Sequence, residues 1–374
     1  LKKTPLHQNH LDMAAKMGEF AGYDMPLYYG EGVMAEHLWT RSNAGLFDVS
    51  HMGQIEISGP GAVAFWQKLT PSYFEKKAHG RAQYTVLSNE QGGMIDDLIV
   101  TRMGDDRFFA VVNAGCKDKD IEWIKSHLPD DLTFTYFEGR ALVALQGPKA
   151  EAALARVSGI DLADMPYMFA AEAKLPDGTD ILISRLGYTG EDGFEIAVPQ
   201  ERAAAFWEEL LACEEIKPVG LAARDSLRLE MGYPLYGHDI DDTTSPVEAD
   251  IGWIMGPKTK GGNNTDFIGA ARVLREREEG ASRKRVGIKL TGKGVAREGA
   301  EIRNVSDEKI GELTSGGHSP SLKESIGQGY IDPAYTEIGT KILVNVRGRN
   351  IEAVIAPMPF IPASTKSMKK KQAA

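Results

Sequence analysis

Two adjacent carboxylates, Asp96 and Asp97, follow a diglycine bend in Gly92-Gly93-Met94-Ile95-Asp96-Asp97-Leu98 and open an apolar stretch. A carboxylate in such a place can orient an amine or move a proton. Successive strand residues face opposite sides, so the pair cannot share a proton unless the backbone is irregular, and at most one of them does chemistry. Asp beside Gly-Gly is also ordinary turn chemistry. A third carboxylate, Glu195, lies in Gly187-Tyr188-Thr189-Gly190-Glu191-Asp192-Gly193-Phe194-Glu195-Ile196-Ala197-Val198. Phe194, Ile196 and Val198 share one strand face, which leaves Glu195 on the other. There it could accept two parallel hydrogen bonds from a planar donor edge, guanidine-like or aminopyrimidine, or simply face solvent. Arg224 and Arg228 lie four apart on one face of an expected helix Leu221–Glu230 and could hold carboxylates or phosphates. Equally, Arg228 with Asp225 would make a routine surface pair.

Other chemistries find little support. The eight histidines are scattered, and His7/His10, the only close pair, has no carboxylate companion, so no metal is expected. The two cysteines, Cys116 and Cys213, form no Cys-x-x-Cys, which suits a reducing compartment, and Cys116 reads as a buried, inert thiol. Gly59, Gly61 and Ala64 match Gly-x-Gly-x-x-Ala, yet the following Tyr84–Leu87 and Leu98–Thr101 read as an antiparallel hairpin rather than a βαβ unit, so a dinucleotide site is disfavoured. The net charge of −10 lacks the basic footprint of a nucleic-acid binder, and no apolar run is long enough to span a membrane. Leu1-Lys2-Lys3-Thr4-Pro5 is no secretory signal, although a first residue other than Met leaves room for a removed leader.

The elements that must position these residues are those of an α+β protein. The 374 residues suit two or three domains. Strand-like Ile55/Ile57 turns through Ser58-Gly59-Pro60 into a helix Gly61–Leu69. The device returns 88 residues later, where Leu142–Leu145 passes Gln146-Gly147-Pro148 into a helix Lys149–Val157. This echo suggests two related α+β units. Further helices are expected at Val33–Ser42, Lys119–His127 and Glu201–Ala212, and hairpins at Asp180–Ser184/Phe194–Val198 and Ile342–Val346/Ile351–Ile355. Turns are expected at Gly187–Gly193 and Gly261-Gly262-Asn263-Asn264. From about Lys284 helices disappear, and Val286 to about Ile361 reads as a small β-barrel or jelly-roll-like domain. The end, residues 366–374, is a basic tail expected to fray.

Several long motifs in order resemble the aminomethyltransferase (T-protein) family of the glycine cleavage system across most of the chain. They include Phe20-Ala21-Gly22-Tyr23, Gly45-Leu46-Phe47-Asp48-Val49-Ser50-His51-Met52, Gly92–Leu98, Val112-Asn113-Ala114-Gly115-Cys116, Gly187–Gly193, Leu221–Arg228, Thr243-Thr244-Ser245-Pro246-Val247-Glu248 and Thr314-Ser315-Gly316-Gly317. The resemblance implies a three-domain cloverleaf around a tetrahydrofolate pocket. Residues 1–52 and 141–283 would form one discontinuous α+β domain, 53–140 a second and 284–365 the barrel. It implies transfer of an aminomethyl carbon from the dihydrolipoyl arm of the lipoylated H-protein to tetrahydrofolate as cosubstrate, giving methylenetetrahydrofolate and ammonia, without a metal. The setting would be the bacterial cytoplasm, or the mitochondrial matrix for a processed organellar form. By similarity Asp97 is the catalytic carboxylate and Glu195 and Arg224 bind the folate. Tyr84 and Asn113, in or beside family motifs, would line the pterin slot.

One departure stands out. The family often has a tyrosine soon after its Phe-Ile/Val-Pro segment, whereas Phe360-Ile361-Pro362 is followed here by Ala363-Ser364-Thr365, and no tyrosine occurs after Tyr335. Two rival readings keep the fold: a folate-dependent demethylase of a small methylated donor, and a non-catalytic folate-binding assembly factor. The Lys-Gly-Cys-Tyr/Phe-x-Gly motif of the latter is missing.

Overall fold

The computed structural model describes residues 1–256 and 264–366. Residues 261–263 of one expected turn and 367–374 of the basic tail lie outside this range. Both proline-marked turns do carry a strand into a helix: Gly53–Ser58 into Ala62–Leu69, and Ala141–Gln146 into Ala150–Ser158. Gly59 and Gly147 hold φ of +127° and +137°. A Cβ there would lie 2.5 Å from the Asp131 carbonyl oxygen and 2.2 Å from that of Asn43, so both turns require glycine for conformation and for space. Each helix begins one residue later than expected. Gly61, the N-cap of the first, has a left-handed φ of +88°, so Pro60 precedes the cap instead of opening the first turn.

The first half of the chain builds a five-stranded antiparallel sheet in the order Ala82–Ser88, Met94–Arg102, Arg107–Val112, Gly53–Ser58, Thr133–Tyr136. Ala82–Ser88 and Met94–Arg102 pair antiparallel, so the glycine match at Gly59/Gly61 has no βαβ context. A six-stranded sheet follows the order Phe169–Lys174, Asp180–Arg185, Gly193–Val198, Ala141–Gln146, Ala44–Asp48, Ile216–Pro218.

Side-chain alternation decides how the layers stack. Phe108, Ala110 and Val112 pack with Trp66 and Leu69 of the covering helix, while Phe109 and Val111 point the other way, into a core shared with Phe47, Leu142 and Ala144 of the second sheet. The two sheets therefore meet face to face. The far side of the second sheet, with Phe194, Ile196 and Val198, is sealed by Phe206, Trp207 and Leu210 of helix Gln200–Leu211. Each such buried side chain stabilises by about 1.5–3 kcal/mol. Ile240, Ala249, Ile254, Met255, Phe267 and Val273 form a core with Val86 and Met94 of the first sheet. The C-terminal part is a closed six-stranded antiparallel barrel beginning with Lys284–Leu290 and ending with Arg349–Ala356.

Helix Leu221–Glu230 ties this barrel to the rest. Arg228 is not the surface partner of Asp225 alone. It is buried, donates to Asp239 Oδ2 at 2.7 Å and reaches Ser315 of the barrel at 2.9 Å.

Candidate active site

A cavity of about 750 Å3 opens where the two sheets, the loop after Met231 and the barrel meet. Asp97, Asn113, Tyr84, Glu195 and Arg224 all line it. It falls within the size range of pockets that enclose drug-sized ligands.

Strand register brings the first three together. The first sheet pairs Ile99 with Val111, and in an antiparallel pair each step along one strand is matched by a step back along the other, which places Asn113 across from Asp97. On the other side Val86 faces Asp97, so Tyr84 is its diagonal neighbour on the same face. The contacts follow. Tyr84 Oη donates to Asp97 Oδ2 at 2.9 Å, and Asn113 Nδ2 donates to Asp97 Oδ1 at 2.7 Å. Asp96 is fully buried and, unlike Asp97, does not line the cavity. It accepts from the Asn113 backbone N–H and from Nδ2, each at 2.9 Å. Asn113 thus bridges both carboxylates. Burial, then the charge of Asp96, pushes Asp97 up to about 7, against the hydrogen bonds from Tyr84 and Asn113. Burial and Asp97 also push the Tyr84 hydroxyl well above its usual range, so it stays a proton donor.

The bend that launches this strand leaves no room for side chains. Gly92 has φ +77°, and a Cβ on Gly93 would lie 1.8 Å from the Asp242 carbonyl oxygen.

Glu195 and Arg224 supply the other polar groups. Glu195 is buried, not solvated, because it turns from the Phe194 face into the space between the sheets. Burial raises its proton affinity, with Arg224 opposing. The Arg224 guanidinium lies over the Tyr188 ring at 4.9 Å, and its Nη1 is buried without a hydrogen-bond partner. An orphaned guanidinium nitrogen in a cavity is a donor waiting for an oxygen acceptor, since desolvating it unpaired is costly. His51, also on the wall, is held near 4 by burial and by the positive Arg224 and Lys117, against the opposing pull of Asp48, so it is neutral at neutral pH.

The remaining wall is aromatic. Trp253 stacks on Tyr84 with centroids 5.8 Å apart, and Tyr188 stacks on Tyr233 at 5.8 Å. Sequence pattern does not single out Trp253, Tyr188 and Tyr233, because isolated aromatics outside long helices and strands have no period to reveal them. Cys116 is buried with its thiol pushed up by that burial, which fits an inert role. His7 and His10 each hold a carboxylate, Asp24 and Asp48, at 2.8 Å. Among the described residues no group of three or more His, Cys, Asp or Glu side chains is placed to hold a metal, and no helix is long and apolar enough to cross a membrane.

Residues 6–259 match the GCVT N-terminal domain family, and residues 283–361 match the glycine cleavage T-protein C-terminal barrel domain. The chain belongs to the glycine cleavage T-protein family. It is 42% identical over 364 residues to the aminomethyltransferase of Phocaeicola vulgatus, covering 96% of this chain and 99% of that one. It is 43% identical over 379 residues to the mitochondrial aminomethyltransferase of Saccharomyces cerevisiae, covering 97% and 95%. The crystal structure of glycine cleavage system aminomethyltransferase T from Bartonella henselae superposes with a TM-score of 0.91 at 39% identity, covering 97% of this chain and 99% of that one. The α+β architecture with a terminal barrel is therefore that of the T-protein family, and the chain is a transferase of the aminomethyltransferase type.

Proposed function

We propose that the chain transfers an aminomethyl carbon from the dihydrolipoyl arm of the glycine cleavage H-protein to tetrahydrofolate. The observation that carries the folate assignment is the pairing, in one cavity, of a buried acceptor, Glu195, with an orphaned buried donor, Arg224 Nη1. A pterin edge offers adjacent N–H donors to a carboxylate, and folate offers a ring carbonyl and an anionic tail to a guanidinium. The stacked Tyr84/Trp253 and Tyr188/Tyr233 pairs suit a flat ring.

Asp97 is read as the catalytic carboxylate. When bound, tetrahydrofolate supplies the amine that accepts the one-carbon unit. Asp97 orients that amine, stabilises positive charge developing on it and takes its proton, and a group that titrates near 7 is matched to such a task. Tyr84 and Asn113 fix the Asp97 rotamer from two sides. The pairing of Ala44–Asp48 with Ala141–Gln146 supports residues 1–52 and 141 onward as one discontinuous unit with 53–140 inserted. The packing of Ile240, Ile254, Met255 and Phe267 on Val86 and Met94 favours counting residues 240–256 and 264–273 with the inserted unit.

Near-full-length similarity to aminomethyltransferases favours this reaction over a demethylase or a non-catalytic assembly factor. A single-turnover assay with aminomethyl-loaded H-protein and tetrahydrofolate is expected to yield methylenetetrahydrofolate and ammonia together. Formation of neither above the uncatalysed rate would reject the proposal.

A further inference from the structure

The guanidinium of Arg224 has a buried Nη1 without a hydrogen-bond partner, and what lies against it is the Tyr188 ring, at 4.9 Å. A cation over an aromatic face is attracted by the negative π-surface, yet such a contact fixes the cation only as firmly as the ring itself is fixed. The placement of Tyr188 therefore decides where the free N–H lies.

Tyr188 is fixed by one short loop. Its Oη donates to the Pro234 carbonyl oxygen at 2.5 Å, and its ring stacks on that of Tyr233, with centroids 5.8 Å and planes 22° apart. Tyr233 in turn is clamped through its backbone. Its N–H donates to the Arg228 carbonyl oxygen at 3.1 Å, while its own carbonyl oxygen accepts from Arg228 Nη1 at 3.0 Å and from Gln328 Nε2 of the barrel at 3.1 Å. Gly232, with φ +66°, turns the chain back onto the helix end just before it, and a Cβ there would lie 2.6 Å from Met358 Sδ. The contacts close on a single helix. Arg228, one turn after Arg224 in Leu221–Glu230, anchors Tyr233; Tyr233 backs Tyr188; and Tyr188 carries Arg224.

We propose that Tyr233 is a positioning residue for folate binding, whose ring backs Tyr188 and thereby holds the Arg224 guanidinium where it can receive an oxygen of the bound folate. The inference rests on the reading of Arg224 as a folate-binding residue. Arg224 would act on folate equally before and during transfer of the carbon, so loss of its support should fall on binding and leave turnover at saturation nearly unchanged. Tyr233 also lines the cavity, so a direct contact with the ligand has to be separated from action through Arg224.

The test measures tetrahydrofolate affinity by isothermal titration, together with kcat and KM, for Tyr233→Phe, Tyr233→Leu, Arg224→Lys, Arg224→Gln and the double variant Tyr233→Leu/Arg224→Gln. Phe keeps the stack, so Tyr233→Phe is expected to bind within about twofold of wild type. Tyr233→Leu loses it and should bind about five- to tenfold more weakly, with kcat within about twofold. In the Arg224→Gln background the same change should cost less than about twofold, since nothing is left for the stack to hold. A full loss in that background would mean that Tyr233 touches the ligand itself and would overturn the proposal, as would equal losses in Tyr233→Phe and Tyr233→Leu, or wild-type affinity in Tyr233→Leu. Should Tyr233→Leu fail to fold, Arg224→Lys reads the same support without touching the loop. It keeps the charge but has no flat face to lie on Tyr188, and binding about tenfold weaker is expected; wild-type affinity there would overturn the proposal. Wild-type affinity in Arg224→Gln would instead remove Arg224 from the folate site, and this inference with it. That result is distinct from weak binding by Arg224→Gln without coupling to Tyr233, which refutes the inference alone.

Discussion

Replacing Asp97 by Asn removes charge while keeping shape. The carboxylate accepts from Tyr84 at Oδ2 and from Asn113 at Oδ1. An amide can occupy the same seat with its oxygen toward Asn113 and its NH2 toward the Tyr84 hydroxyl, which accepts as well as donates. The pocket should therefore persist without its base. General acid–base assistance of about 10^2 to 10^4 corresponds to roughly 2.7–5.5 kcal/mol of barrier, and kcat should fall by that factor. Binding of tetrahydrofolate, measured by fluorescence titration, should change by less than about threefold, or ~0.7 kcal/mol. In wild type the ionised carboxylate is the working form, so kcat should rise with pH through about 7, and the residual rate of Asp97→Asn should lack that limb.

Stability carries a second, opposite signature. Asp97 binds its proton more tightly folded than unfolded, so its contribution is full below the ordinary carboxylate range and is lost as pH rises to about 7. Asp97→Asn has no ionisation to suppress. Its Tm should match wild type near pH 4 and exceed it at pH 8. Retention of more than about a third of kcat, or a loss confined to KM, would refute the catalytic role assigned to Asp97.

Three further substitutions probe the same site. Asp96→Asn should lower kcat at pH 8 by no more than about tenfold, and it should shift the acid limb to lower pH because the Asp96 charge is the second cause of the raised Asp97 value. A larger loss than in Asp97→Asn would mean that the acting carboxylate is Asp96. Glu195→Gln presents a donor to the donors of the pterin and should weaken tetrahydrofolate binding about 10- to 100-fold, or roughly 1.5–3 kcal/mol, with kcat at saturation nearly unchanged. Isothermal titration showing wild-type affinity would remove Glu195 from the pterin site. Gly93→Ala places a Cβ 1.8 Å from the Asp242 carbonyl oxygen, and the forced shift of the bend should lower stability by about 1–3 kcal/mol and cost activity as well. A thermal melt at the wild-type temperature would show that the bend is not held where it lies.

The residues whose orientation is set locally were legible in the sequence. A diglycine bend followed by a strand of period 2 puts Asp96 and Asp97 on opposite faces, and the same period turns Glu195 away from Phe194. What the strand pattern cannot give is the depth of the face. Glu195 reads equally well as solvated, and it is buried only because a second sheet lies over it. Arg228 illustrates the same point: its i,i+3 partner Asp225 is visible in sequence, but Asp239 and Ser315, which bury it, come from a loop and the barrel. Helix Ala270–Glu279 escaped notice because it is polar nearly all round and buries Val273 alone, relying on ion pairs from Arg272 to Glu276 and Glu248. The hairpin Lys16–Phe20/Tyr23–Tyr28 escaped for a related reason, since it forms a two-stranded sheet with no continuous apolar face.

Asp120 marks the limit of such reading. In Lys117-Asp118-Lys119-Asp120 two acids flank a lysine at a helix start, where either would ordinarily serve the helix dipole from solvent. Only the register Ile99↔Val111 brings Asn113 across from Asp97, and the turn from Asn113 through Cys116 then buries Asp120 while leaving Asp118 exposed. A neutral acid there has a thermodynamic consequence that any sheet register placing Asp120 in water would not produce. Unfolded, it ionises in the ordinary range; folded, it keeps its proton up to about 11. Folding therefore takes up a proton, and stability falls as pH rises by up to about 1.4 kcal/mol per pH unit for this group. The fall is confined to the window between those two values, so the proton uptake that accompanies refolding at pH 8 measures the burial of this single carboxyl once Asp120→Asn is subtracted.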